Sequence, residues 1–313
     1  MQLAHVEYVL TKDEALQSSG MDVPFLLEPL LTPANMSLML LTAFLVVFGI
    51  TAAARNGAFK KFLRGFRSRA KASEEFLPLI ARLSLGSALI GAGATGVLIS
   101  PVLVGFEGVV AVLELVTGFC LVAGFLTGPA ASMSLIFFGA ALARDSYLVG
   151  NLDFLALALA FFVLGSSRPG VDDLLGVKFL SPIKKLQPYV PLILRLGVGV
   201  SMIFLAIYEK FLNPHTAALV VERYHLTDLV SVSASMWVLS AGVIELVVGL
   251  MLMCGWRTRF ASMLALAVLT STFFFFQEPV FAHVTLFGIL SMILITGGGA
   301  VSLDAYVASK RAS

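Results

Sequence analysis

Apolar stretches of about 20 residues, each the length needed to cross a ~30 Å hydrocarbon core, dominate the chain and are separated by short polar loops. Nine segments fit: 35–54, 78–100, 106–125, 128–146, 150–167, 190–212, 236–254, 259–277 and 280–297. Gly86, Gly91, Gly93 and Gly96 fall within one of them, where small residues let helices approach closely. Two connectors are amphipathic instead. Phe59, Phe62, Leu63 and Phe66 recur at helical spacing among basic residues, and Leu174, Leu175, Phe179 and Leu180 precede Lys184 and Lys185. Both read as helices lying on a membrane surface. The pattern predicts an all-α polytopic membrane protein with nine transmembrane helices.

The spans are not independent. Glu114-Leu115-Val116-Thr117-Gly118 returns later in the chain as Glu245-Leu246-Val247-Val248-Gly249. Gly124-Phe125-Leu126-Thr127 returns at the same interval as Gly255-Trp256-Arg257-Thr258, and Arg82-Leu83 and Arg195-Leu196 open the preceding span of each copy. Setting the first span aside leaves eight, dividing into residues 76–173 and 189–305. An even number of crossings brings each unit back to its starting side, so the units are parallel repeats. Each is expected to close as a four-helix bundle. Residues 1–33 then form an external N-terminal tail, and 34–75 an anchor helix with a basic connector.

The copies differ in one place. The second carries an insertion between its arginine and its glutamate, following Lys210. Asn213-Pro214 supplies a helix start, and Leu219, Val220 and Tyr224 supply an apolar face. An external helix serving as a lid or a partner surface is expected there.

Composition agrees with the pattern: 58% of residues are hydrophobic and 13% charged, with mean hydropathy +0.96. The net charge of +2 carries no nucleic-acid signal, because the cations are sorted by side. Arg55, Lys60, Lys61, Arg64, Arg67, Arg69 and Lys71 crowd one loop, and Arg168, Lys178, Lys184, Lys185, Arg257, Arg259, Lys310 and Arg311 fall on the same side. Only Lys12, Arg144, Lys210 and Arg223 lie opposite. The positive-inside rule places the N-terminus outside and the C-terminus in the cytoplasm, in a prokaryotic plasma membrane. The first span lacks a basic n-region and a cleavage site, so it reads as an uncleaved anchor.

Glu114 and Glu245 lie near mid-span, where an ionised carboxylate costs about 3 kcal/mol. Arg82 and Arg195 enter their spans from the cytoplasmic side. The expected pairings are Arg82–Glu114 and Arg195–Glu245, each joining the first two helices of its bundle. These pairs either fix helix register or line a polar pocket that binds a headgroup and handles protons. At the outer mouth, His283 either joins Glu209, Lys210 and His215, or all four are simply solvated interfacial residues. No histidine sits at depth to ligate haem, and no His/Cys/Asp cluster has metal-ligand spacing. Cys120 and Cys254 form no Cys-x-x-Cys pair, so neither a disulfide nor a thiol relay is expected.

Segment 192–305 resembles the DoxX/DoxD family of small four-span membrane proteins. The resemblance rests on Arg195-Leu196, Glu209-Lys210, Glu245-Leu246…Gly249, Gly255-Trp256-Arg257-Thr258-Arg259 and Gly297-Gly298…Ser302-Leu303-Asp304. The first unit looks like a degenerate copy that keeps Arg82, Glu114, Gly118, Gly124 and Thr127 but lacks the Glu-Lys pair. The resemblance implies a membrane subunit of a quinone-linked, thiosulfate:quinone oxidoreductase-like system, working with a second redox subunit. Arg195, Glu245, Glu209, Lys210 and His283, with Arg82 and Glu114 in the first copy, are then the quinone-site candidates. The competing expectation is non-enzymatic: a membrane scaffold, an assembly factor or a small-solute permease.

Overall fold

Helix boundaries in the computed structural model fall where proline and glycine dictate. It describes residues 14, 17–41, 44, 55–165, 169–177, 183–229, 232–276 and 280–312, and among them no strand occurs, only a single bridge between Val97 and Val104. The helices are α1 (Val23–Leu31), α2 (Pro33–Leu41), α3 (Gly57–Ala72), α4 (Leu77–Thr95), α5 (Val109–Ala123), α6 (Thr127–Arg144) and α7 (Leu152–Leu164). Then follow α8 (Val190–Leu205), α9 (Pro214–Arg223), α10 (Ala234–Cys254), α11 (Thr258–Phe276), α12 (Val280–Thr296) and α13 (Leu303–Ala312). Pro78, Pro191 and Pro214 stand in the first turns of α4, α8 and α9, where a missing N–H costs nothing. Residues 42–43 and 45–54 of the expected first span lie outside the described residues.

Among the described residues, four helical stretches are long and apolar enough to cross a membrane, Glu74–Thr95, Ser146–Leu164, Lys184–Leu212 and Ala234–Cys254, and the bent pair of α1 and α2 would make a fifth if it is one span. The shorter apolar helices Val109–Ala123, Thr258–Ser271 and Val280–Thr296 run beside them. The span expected to reach residue 100 stops at Thr95, because Gly96 turns left-handed at φ 67°. Val97, Leu98, Ile99, Val102 and Leu103 then fold inward and are buried.

The two sets of four helices do not form separate bundles. The first helix of each set packs against the last helix of the other, α4 on α12 and α8 on α7, as well as against its own second helix. One hydrophobic core runs through both, from Leu85 and Leu89 to Leu194, Leu252 and Ile293. Small residues make the crossing possible. A Cβ at Gly288 would lie 2.2 Å from Ser84 Oγ, and one at Gly197 would lie 2.2 Å from Ala156 Cβ. At that separation the interhelical seams, rather than independent bundles, are the closest packing available.

The outer surface fits a lipid surrounding. Val112, Leu113, Val116 and Phe119 on α5 are exposed, and so are Val243, Ile244, Val247 and Leu250 at the equivalent positions of α10. A stripe of that extent is stable against acyl chains and not against water.

Residues 17–31 do not trail free as an external tail. Leu26 of α1 is buried against Ala217, Ala218 and Val221 of α9 and Val238 of α10. α9 therefore packs through Ala217, Ala218 and Val221 rather than through Leu219 and Val220, because small side chains admit α1 closely, while Tyr224 packs against the same cluster as expected. Polar ties hold this strap: Gly20 N–H to Asn213 Oδ1 at 3.0 Å, His215 Nε2 to Asp22 Oδ2 at 2.8 Å, and Ser235 Oγ to Glu28 Oε2 at 3.0 Å. After α1 the chain bends by 78° into α2. The expected connector helix is present as α3, with the side chains of Phe59, Phe62 and Leu63 outside the described residues. Leu174 and Leu175 are exposed, as a surface-lying turn requires, while Phe179 and Leu180 lie outside the described residues. Phe273 is partly buried and edge-on to Phe287.

Candidate functional site

Arg82 and Arg195, at the basic end, donate to main-chain carbonyls and not to the glutamates expected. Arg195 donates from Nη1 to the carbonyls of Leu252 (3.1 Å) and Met253 (2.9 Å), and from Nη2 to that of Val301 (2.5 Å). Arg82 donates from Nη2 to the carbonyl of Pro169 at 2.8 Å. Neither Arg82–Glu114 nor Arg195–Glu245 forms. Arg195 enters from the basic end and stops at the open carbonyls of the C-terminus of α10 and at Val301, while Arg82 stops at Pro169, in the segment that follows α7. Gly124 and Gly255 make room: a Cβ there would lie 2.2 Å and 2.5 Å from the respective Nη1, and both glycines are left-handed.

The acids of this end are Asp172 and Asp304, which act as caps. Asp172 accepts from the Leu126 amide (2.9 Å), the Thr127 amide (3.0 Å) and the Thr127 hydroxyl (2.8 Å). Asp304 accepts from the Arg257 amide (2.7 Å), the Thr258 amide (2.9 Å) and the Thr258 hydroxyl (2.8 Å). Burial by itself would raise the Asp172 pKa. The Thr127 amide and hydroxyl, the Leu126 amide and the Arg82 charge outweigh burial and hold it below the ordinary carboxylate value. Leu126 and Thr127 map onto Arg257 and Thr258 at the interval that relates Glu114 to Glu245, and Asp172 maps onto Asp304 with a shift of a single position. Asp172 had no place among the expected site residues. Its signal was present in the sequence as an acid following each unit's last helix.

The two glutamates have different surroundings. Glu114 is fully buried; Oε1 accepts from the Ile99 amide at 3.0 Å, and Oε2 has no hydrogen-bond partner among the described residues. Ile99 is itself held at φ 61°, a strained left-handed conformation for a β-branched residue. In the second unit the helix continues where the first stops. Ala206–Leu212 widens into a π turn, a distortion found mostly at functional sites.

That turn brings Glu245, expected beside Arg195, to Glu209 and Lys210, expected at the outer mouth. Lys210 Nζ lies 2.5 Å from Glu209 Oε2 and 3.2 Å from Glu245 Oε2. Tyr147, which sequence reasoning missed, donates its hydroxyl to Glu209 Oε1 at 2.8 Å. It comes from the Ser146–Asn151 turn before α7, so the cluster joins both sets of helices. Tyr147 is edge-on to Phe204 and Tyr208, which stack on each other with centroids 5.6 Å apart. Glu209 is buried, whereas the Glu245 side chain keeps 28% of its surface beside the exposed Ile244 and Val247. The Glu245–Lys210 contact is an ion pair without hydrogen-bond geometry, so Glu245 retains acceptor capacity. Two carboxylates share one ammonium, leaving room for one proton or cation.

Neither histidine joins this cluster. His215 is committed to Asp22 and stacks obliquely on Phe25. His283 is buried on α12, edge-on to Phe273.

Residues 190–278 match the family model described as DoxX. Over this segment, less than a third of the chain, the protein is similar to that family. No curated protein and no solved structure matches the chain. The matched segment holds Arg195, Glu209, Lys210 and Glu245, while Tyr147, His283 and Asp304 come from outside it. The match and the long apolar helices together point to a multi-pass membrane protein.

Proposed function

We propose that the Glu209–Lys210–Glu245–Tyr147 cluster is a quinone-headgroup site that opens toward lipid, in a membrane subunit that works with a second redox protein. The observation that carries this reading is the partial exposure of Glu245, with spare acceptor capacity, on a face otherwise lined by lipid-exposed Ile244 and Val247. A hydrophobic ligand arriving through the bilayer meets an ammonium donor and a carboxylate acceptor together. Quinones need that combination: a donor for the carbonyl oxygen and an acceptor for the hydroxyl proton. A bound quinone supplies two-electron, two-proton chemistry. Lys210 orients the headgroup, Glu245 exchanges the proton, and Tyr147 with Glu209 fixes the lysine. Arg195, Arg82 and Glu114 are positioned away from this headgroup and act structurally.

The wider arrangement belongs to the same proposal. Residues 76–173 and 189–305 are two DoxX-like units related by an axis along the membrane normal, with nine spans in all. The basic end faces the cytoplasm of a prokaryotic plasma membrane. The recurrence of the arginine and aspartate contacts in both units supports the duplication.

The test is mass spectrometry of protein purified in native lipid, paired with quinone reduction by thiosulfate or sulfide in membranes with and without the protein. A bound quinone that Lys210→Met and Glu245→Gln both lose is expected. Quinone-free protein and equal reduction rates would remove the redox reading. One observation favours a scaffold instead: the most faithfully recurring residues, Arg82 with Arg195 and Asp172 with Asp304, are satisfied by the protein itself. Recovery of a stoichiometric partner without quinone is its outcome.

A further inference from the structure

A second buried polar site lies on the seam between the two sets of helices. Asp153, in the first turn of α7, is 2% exposed. Its Oδ2 accepts from the Thr285 hydroxyl of α12 at 2.6 Å, and its Oδ1 has no hydrogen-bond partner among the described residues. His283, two residues before Thr285 and 3% exposed, is within electrostatic reach of the carboxylate. Of the other ionisable groups on helices packed around α7, Arg82 on α4 and Arg195 on α8 are engaged at the basic end, whereas Arg144 closes α6 at the end where Asp153 begins α7.

Positions 153 and 285 stand at the same interval that separates Asp172 from Asp304. They therefore occupy equivalent places in the two sets and meet each other at the seam. Were both aspartate, two carboxylates would face each other in a low-dielectric interior. A threonine on one side removes that repulsion and supplies one donor, yet it satisfies only one of the two oxygens. A buried acid with an open oxygen and an imidazole nearby has the composition of a proton relay within a membrane. It is also placed to serve the far end. The Ser146–Asn151 turn carries Tyr147, bonded to Glu209, and leads directly into α7 and Asp153.

We propose that Asp153 and His283 form a proton-binding site on the seam between the two sets of helices, distinct from the Glu209–Lys210–Glu245 cluster. The proton resides on Asp153 Oδ1 while Oδ2 keeps the Thr285 bond, and it exchanges with the His283 imidazole. No electron transfer is involved, and the site stands whether or not the cluster binds quinone.

Infrared difference spectra of the protein in lipid nanodiscs, recorded between acid and alkaline pH, test this. The expected result is a protonated-carboxyl stretching band that vanishes with rising pH. Asp153→Asn removes that band, while Glu245→Gln and Glu114→Gln leave it in place. His283→Gln shifts its midpoint. Asparagine still accepts from Thr285, so the helix seam is retained and the unfolding temperature is expected to hold. A purely structural aspartate would give identical difference spectra for parent and Asp153→Asn, and that result would overturn the proposal. Thr285→Val is the second variant: it keeps the acid, removes its donor and is expected to move the band. An unmoved band counts against the site.

Discussion

Lys210 reaches Glu245 across the α8–α10 interface at 3.2 Å while holding its sequence neighbour Glu209 at 2.5 Å. The equivalent glutamate of the first unit, Glu114, has no cation beside it among the described residues and accepts from a backbone amide. The same Glu-Leu-Val-x-Gly pattern thus places its carboxylate in two different settings. A helix that ends early folds its loop back to donate an N–H, and a helix that continues through a π turn supplies an ammonium.

Removing that ammonium strands two carboxylates in hydrocarbon. Lys210→Met is expected to cost about 3–5 kcal/mol, the range for breaking a buried ion pair from one side. Glu245→Gln added to Lys210→Met recovers part of the loss. Thermal unfolding in one detergent, with the double-mutant cycle completed, measures both. If Lys210→Met matches the parent, the cluster contributes nothing to stability.

Arg195 predicts a different sensitivity. Its three carbonyl acceptors match a planar guanidinium and not a point charge. Arg195→Lys is expected to lose about 2–4 kcal/mol, since hydrogen bonds from a charged group contribute about 1.5–3 kcal/mol each and only part of the set is lost. Gly255→Ala drives a Cβ to 2.5 Å from Nη1 at a left-handed φ of 69°, so it is expected to lower the unfolding temperature as well. Equal stability of the lysine variant would mean that the carbonyl cage is not the role of Arg195.

How much of this was legible follows from what sequence spacing records. The recurrence of Glu-Leu-Val-x-Gly, the apolar spans and the Asn213-Pro214 helix start all describe local or periodic features, and helices α4 to α12 fall on them. Glu209, Lys210 and Glu245 were singled out in the sequence as charges in apolar surroundings, but at different depths; the π turn is what brings them together. The arginine partners were not legible. Pairing Arg with Glu treats charge as the only currency, whereas Arg195 lies beside the open C-terminal carbonyls of α10. Tyr147 was hidden for a different reason: it belongs to the other set of helices, and the α7–α8 crossing that delivers it depends on Gly197 meeting Ala156.

Acid sensitivity at the basic end follows from Asp172. Its pKa is lowered on folding from an ordinary value of 3.8, so its contribution is fully present above that value and is lost as pH falls through the folded-state pKa. Asp172→Asn is expected to be less stable than the parent at neutral pH, with the two curves converging under acid. Unfolding temperature against pH for both proteins checks the sign; a gap that widens on acidification contradicts it.

The strap has its own acid limb. The Phe25 amide first, and then His215, hold the Asp22 carboxyl below its ordinary value, so this tie is also strongest above that range and loosens as pH falls through the lowered pKa. Asp22→Asn is expected to speed amide exchange at Gly20 and Phe25 at neutral pH without altering exchange in α10. Hydrogen–deuterium exchange on the full chain reads this directly, and unchanged exchange at both amides would show the strap to be held by Leu26 packing.

The seam between the helix sets yields a prediction with an internal control. Gly197 and Gly288 each face a neighbour so closely that a Cβ would lie 2.2 Å away, whereas a Cβ at Gly139 would meet nothing within 4 Å. Glycine-to-alanine changes raise helix propensity by about 1 kcal/mol wherever space permits. Gly139→Ala is therefore expected to be neutral or stabilising. Gly288→Ala must displace Ser84 and Gly197→Ala must part α8 from α7, at a cost of about 1–3 kcal/mol for overpacking. The Gly288 contacts are all with side chain, the Ser84 hydroxyl that can rotate and the Ser84 Cβ at 2.7 Å, while the Gly197 contacts are with the Ala156 Cβ and the Leu152 carbonyl at 2.8 Å. Backbone cannot move aside, so Gly197→Ala is expected to be the worse of the two. Because Leu152 precedes Asp153, the same substitution should also weaken the Asp153–Thr285 bond. Unfolding temperatures ranked Gly139→Ala, Gly288→Ala, Gly197→Ala from highest to lowest are the expected order, and any order placing Gly197→Ala first breaks the account of how the two sets are joined.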